Sequence, residues 1–186
     1  TKEVFADRKI ILSDDDRSGI YMALIEARDA AGDEEGTVAL QSQWSTFLEE
    51  AAARAKTAEQ RTVYDSHRVS AYLDLGTPEK AIPMLEQSER DFPTDYNPPA
   101  RLAFIYNALK DYDKALAASD RALALVYGPR KLSVLSVRVD IFNNKGDKKA
   151  ARETMAQAID YAKALPEGQR NERRIASMEK RLAAME

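Results

Sequence analysis

Tyr72-Leu73-Asp74-Leu75-Gly76-Thr77-Pro78-Glu79-Lys80-Ala81, Tyr106-Asn107-Ala108-Leu109-Lys110-Asp111-Tyr112-Asp113-Lys114-Ala115 and Phe142-Asn143-Asn144-Lys145-Gly146-Asp147-Lys148-Lys149-Ala150-Ala151 are one pattern written three times. Each copy runs from an aromatic through a turn to a small residue. An apolar helical stripe follows: Leu85 in the first copy, Ser119 and Ala122 in the second, Met155 and Ala158 in the third. Ala81 to Ala115 is 34 residues and Ala115 to Ala151 is 36. A fixed period of this length, built from two helices, marks a stacked array in which each unit buries its apolar face on the next.

Working outward, the repeat block occupies 57–166. Thr57 opens a helix over 58–75 with Val63, Val69, Tyr72 and Leu73 apolar. Thr77 is a candidate cap for the next helix, with Pro78 in its first turn. Pro83 lies inside it and is expected to bend it gently by removing the bond to Glu79. Pro98 and Pro99 open a helix near 99–109, and 113–126 follows. Tyr127-Gly128-Pro129-Arg130 is a turn that supplies the two extra residues of the longer period. Helices over 131–145 and 148–165 make the third pair, and Pro166 ends it.

Before the block, Ser13 reads as a helix N-cap with Asp14, Asp15 and Asp16 in the first turn. Those carboxylates suit the positive end of the helix dipole. A cation site would need oxygens converging from several chain positions, so the triplet reads as capping. This helix carries Ile20, Leu24, Ile25 and Ala27 and ends at Gly32. Asp33 caps a second helix over 34–56, with Trp44, Phe47 and Leu48 in its stripe. Trp44 at that spacing reads as core rather than a ligand platform. The hairpin 13–56 is expected to be a degenerate repeat or cap, with Thr37 as its small residue. Residues 1–12, with Val4, Phe5, Ile10, Ile11 and Leu12, form a leading segment that either packs on the array or is a partly ordered linker. A last helix over 169–185, striped by Ile175, Met178, Leu182 and Met185, is expected to close the array, making about nine helices in an all-α chain.

Composition narrows the function classes. The chain has 186 residues and a net charge of −3, so no overall field draws in nucleic acid. It has no cysteine, which removes disulfides and thiolate chemistry. No apolar run approaches the roughly 20 residues that span a bilayer, so no membrane insertion is expected. No phosphate-binding glycine loop or paired-histidine metal spacing occurs, so no cofactor or metal is expected. His67 is the single histidine, and its neighbours Ser66, Arg68 and Ser70 supply no obvious catalytic partner. Basic residues around 145–152 and 170–181 interleave with Glu153, Glu172 and Glu179, as on solvated faces. The chain begins at Thr1 rather than Met, which fits an expectation that it is part of a longer one. That leaves cytoplasm and periplasm both open.

The stretch 64–166 resembles the tetratricopeptide repeat family, over a little more than half of the chain. Arg68-Val69, Leu102-Ala103 and Arg138-Val139 replace that family's Leu-Gly pair, and no Trp stands in the first helix of a repeat. The resemblance implies antiparallel helix pairs wound into a right-handed superhelix. It also implies a concave face lined by the first helix of each pair, where a peptide or a partner's helix lies. By register that face is Ser66, His67, Ser70 and Asp74, then Asn97, Arg101, Phe104 and Asn107, then Ser136, Asp140, Asn143 and Asn144. The asparagines can bond a peptide backbone at both N–H and C=O, and Arg101 can hold a carboxylate. Ser66, Ser70, Ser133 and Val137 stand where family members that clamp a carboxyl terminus carry Lys, Asn and basic residues, so that clamp is absent or different here. The segments 91–102 and 127–132 also resemble the C-terminal helical regions of some bacterial thioredoxin-domain proteins. The expected function is a non-enzymatic protein-interaction module of a larger bacterial chain. The alternatives are an accessory domain of a redox protein whose catalytic domain lies elsewhere, or a peptide- or nucleic-acid-linked regulator.

Overall fold

Four turns of one construction punctuate the chain. At each, a residue in the left-handed region ends one helix: Gly32 (φ 70°), Gly76 (φ 68°), Lys110 (φ 62°) and Gly146 (φ 86°). The next residue sends its N–H back to the carbonyl five positions earlier: Asp33 to Arg28 at 3.0 Å, Thr77 to Tyr72 at 2.8 Å, and Asp111 to Tyr106 and Asp147 to Phe142, both at 2.9 Å. The left-handed residue itself donates to the carbonyl three before it. Together these bonds form a Schellman motif, which satisfies carbonyls that a helix end otherwise leaves open. The aromatics of the repeated pattern are thus the residues whose carbonyls close the turn.

At three of the turns the same dipeptide also starts the next helix. The side chains of Asp33, Asp111 and Asp147 accept from Gly36, Lys114 and Ala150 N–H. Thr77 departs from the expectation and caps nothing with its side chain. Pro78 follows it, and the chain makes a 3-10 turn, Pro78–Lys80, before the α-helix begins at Ala81. That start places Pro83 in a first turn, where N–H groups have no intrahelical partner. Its ring therefore removes no bond within that helix, and Glu79 belongs to the 3-10 turn.

The computed structural model describes residues 12–185, so of the leading segment only Leu12 is seen; Val4, Phe5, Ile10 and Ile11 lie outside the described residues. Every regular element among the described residues is helical. The chain forms two compact units that meet between Ala81 and Ile82.

The first unit holds α1 (Asp14–Ala30), α2 (Glu34–Arg54), α3 (Ala58–Thr62) and α4 (Asp65–Asp74). Ser13 and Asp16 make a full capping box at the start of α1. The helix expected over 58–75 is broken at Val63-Tyr64, directly after Thr62; Thr62 and Val63 are two adjacent β-branched residues, which form helix poorly. Tyr64 then restarts it, its hydroxyl donating to Asp14 at 2.8 Å. Trp44, Leu48 and Ala71 form the core, with Tyr21, Ile25, Phe47 and Tyr64 packed against them. A polar relay crosses this core. The Trp44 indole N–H donates to Ser18 Oγ at 2.8 Å, and Ser18 Oγ pairs with His67 Nδ1 at 3.0 Å. Ser18 is 1% exposed, so water cannot replace it.

The second unit takes α5 (Ala81–Asp91) from Ile82 onward, then α6 (Asn97–Ala108), α7 (Tyr112–Leu125), α8 (Lys131–Lys145), α9 (Lys148–Ala164) and α10 (Glu172–Ala183). Successive helices from α6 pack on each other, and α6 also packs on α8. The small residues Ala115 and Ala151, like Ala81 at the start of α5, are fully buried; a larger side chain would force neighbouring backbones apart. Val139, Met155, Ile159, Ile175 and Met178 anchor one continuous core, with Leu182 and Met185 packed against it. The last helix therefore covers the apolar side of α9. Among the described residues there are nine α-helices of ten residues or more, the short α3 and three 3-10 turns.

Lys110 is the only non-glycine described residue with positive φ. The left-handed conformation costs a side-chain-bearing residue roughly 1–2 kcal/mol, against about 0.5–1 kcal/mol of extra unfolded-chain entropy for glycine. Lys110→Gly is therefore expected to stabilise the protein by roughly 0.5 kcal/mol, and Gly146→Ala to destabilise it by about 1 kcal/mol, both read from urea midpoints. Ser18→Ala leaves the Trp44 N–H unpaired in the core and should cost about 1–3 kcal/mol; an unchanged midpoint would show the relay to be idle.

Candidate functional site

The residues expected on a binding face fall in both units. In the first unit, His67 is held by Ser18, and its ring lies 5.8 Å from that of Trp44. It also edges a small cavity of about 170 Å³ with Asp14, Val63 and Tyr64. Its Nδ1 partner comes from α1, 49 residues away. The side chain of Ser66 is exposed, and the Ser70 hydroxyl donates to the Ser66 carbonyl at 3.3 Å.

Ser70 and Asp74 open instead onto a wider cavity of about 420 Å³ between α1, α2 and α4. Its apolar lining is Met22, Ile25 and Trp44. Three carboxylates, Glu26, Asp29 and Asp74, stand around it. None of them forms an ion pair among the described residues. Partial burial pushes the Asp74 carboxyl above its ordinary value. Met22, Glu26 and Asp29 were missed in the sequence, where α1 was read only for its core stripe. Their spacing of four and three carried the signal, since it places them on one helical face.

In the second unit, Phe104, Asn107 and Asn144 come together. With Lys110 and Tyr112 they line an open cavity of about 420 Å³. The Asn144 amide N–H donates to the Asn107 carbonyl oxygen at 3.1 Å. One N–H₂ and one carbonyl of the pair stay available, the two groups that a peptide backbone needs. Phe104 is 45% exposed. Arg101, one turn before it on α6, is half-buried and makes no ion pair among the described residues.

The remaining candidates are engaged inside the unit. Asn97 binds Asp95 Oδ1 through its side-chain and backbone N–H at 2.7 and 2.9 Å. The Ser136 hydroxyl donates to the Leu132 carbonyl at 2.9 Å. Asp140 is paired with Arg181 of α10. Asn143 is half-buried, and its carbonyl accepts from Gly146 in the turn. Among the described residues no group of three or more His, Asp or Glu side chains could hold a metal ion. No described helix is long and apolar enough to cross a membrane.

No family model matches the sequence, and the curated proteins contain no match. Among solved structures the chain is similar to the crystal structure of BtubC (BKLC) from P. vanneervenii, with a TM-score of 0.61 and 18% sequence identity. The likeness covers 89% of this chain and 70% of that one. At this identity it shows a shared helical fold and nothing about activity.

Proposed function

We propose that this chain is a non-catalytic protein-interaction module of the tetratricopeptide kind, which holds an extended peptide segment of a partner protein against α6 and α8. The observation that carries the reading is the Phe104–Asn107–Asn144 cluster. An aromatic left 45% exposed sits beside an amide pair with both a donor and an acceptor unspent. Buried aromatic anchors flanked by polar groups that fix register are where binding energy concentrates. Arg101, unpaired and one turn away, adds a charge that selects an acidic side chain or a terminal carboxylate. The four equivalent turns and the 34-residue spacing support the repeat reading, because they recur independently of the face itself.

The test is selection of a displayed random-peptide library on the purified chain. Peptides enriched on the wild type should lose at least tenfold in affinity on Phe104→Ala, and likewise on the double change Arg101→Ala with Asn107→Ala, about 1.4 kcal/mol each. These side chains lie outside the core, so melting temperatures should stay put. Peptides that bind all three proteins equally would place the interaction elsewhere.

A further inference from the structure

The cavity of the first unit has a chemistry opposite to that of the α6–α8 face. Of its apolar lining Met22 is 47% exposed and Ile25 half-buried, while Trp44, 2% exposed, belongs to the core beneath. Its charged lining is all acidic: Glu26, Asp29 and Asp74, with no lysine or arginine among the lining residues. The placement of these acids is unfavourable for the fold. Asp29 lies in the last turn of α1, and Asp74 is the last residue of α4. Helix C-termini favour cations and disfavour carboxylates. By contrast, Asp14 to Asp16 and Glu34-Glu35 sit at helix starts, and the last turn of α2 carries Arg54. Two exposed acids at the C-terminal ends of their helices, without an ion pair among the described residues, thus flank an open cleft whose exposed apolar residue is Met22.

We infer that this cavity docks a basic amphipathic segment of a partner protein. An apolar side chain of that segment enters beside Met22 and Trp44, and a Lys or Arg on the adjacent turn meets Asp29, Asp74 and Glu26. The inference rests on the reading of the chain as an interaction module, and it assigns the first unit its own ligand class. Charge complementarity sets that class. An acidic segment would face three like charges, and an uncharged apolar one would leave all three unanswered.

Trp44 is the single tryptophan of the chain and lines the cavity, so its fluorescence reports occupancy directly. Three synthetic helical peptides serve as probes: one with Leu and Lys one turn apart, one with Leu and Glu, and one with Ser and Lys. The Leu/Lys peptide should shift Trp44 emission saturably, and its affinity should fall as salt is raised. Asp29→Asn with Asp74→Asn should weaken it at least tenfold while the melting temperature holds or rises. Met22→Ala should weaken it several-fold. Glu34→Gln with Glu35→Gln, an equal charge change outside the cavity, should leave the titration unchanged. Binding of the Leu/Glu or Ser/Lys peptide as tight as that of the Leu/Lys peptide would overturn the inference, as would a Leu/Lys peptide that leaves Trp44 emission unmoved or binds the double variant equally. If that happens while library peptides still depend on Phe104, the inference alone fails and the α6–α8 reading stands. Loss of the Phe104-dependent peptides with Leu/Lys binding intact is the converse.

Discussion

The whole chain depends on one backbone arrangement, the helix end closed by a left-handed residue and reopened by the residue after it. A helix end exposes four carbonyls and a helix start exposes four N–H groups. In this chain two residues answer both needs. Gly146 and Asp147 return their N–H groups to Asn143 and Phe142, and the Asp147 carboxylate then accepts from Ala150. With no residues spent on a loop, the outgoing helix must fold back along the incoming one. The aromatic at the bonded carbonyl and the small residue a few positions past the turn are then forced to meet neighbouring helices. The repeated pattern of the sequence is this turn seen edge-on.

That explains what was legible and what was not. The turns, the buried alanines and the final covering helix follow from local spacing, and the sequence carries local spacing openly. The Thr77 cap failed because Pro78 diverts the chain into a 3-10 turn, an effect of two residues that the period does not register. The break at Val63-Tyr64 was masked because Val63 is itself apolar and continues the helical rhythm into Val69 and Tyr72. For the faces, register placed Phe104, Asn107 and Asn144 on one side of the array, and the structure brings these three together. It could not foresee that Asp140 is claimed by Arg181 or His67 by Ser18, partners 41 and 49 residues distant. Spacing tells which side of a helix a residue occupies; it is silent on what another helix brings to that side.

The turn also decides where recognition can be written. Asn107 and Asn143 occupy the position whose carbonyl accepts from the left-handed residue, as do Asp29 and Leu73. Asn144 and Asp74 are the next residues along. Asn144 and Asp74 lie between the bonded residues of the turn, and both are exposed. Such positions are rigid yet outside the core, so a side chain there loses little entropy on binding. Changing Asn to Asp at one of them alters ligand class without touching a buried contact. The first unit has Asp29 and Asp74 where the second has Asn107 and Asn144, so the two proposed ligand classes differ at equivalent places in the turn.

The electrostatic cost supports this division. Exposed ion pairs such as Lys145–Asp113 and Lys163–Glu179 contribute little to stability, so the chain is not short of cations with which to neutralise an acid cheaply. Arg28 is one residue from Asp29 and is committed to Asp33. Asp74, whose protonation burial already favours, has been left without any such partner. A lysine one turn away could pair with either carboxylate, as Lys114 pairs with Asp111 at 2.8 Å. Stability alone therefore gives no reason for Asp29 and Asp74 to stand unpaired, whereas a basic ligand does, because any internal cation would compete with it for the same carboxylates.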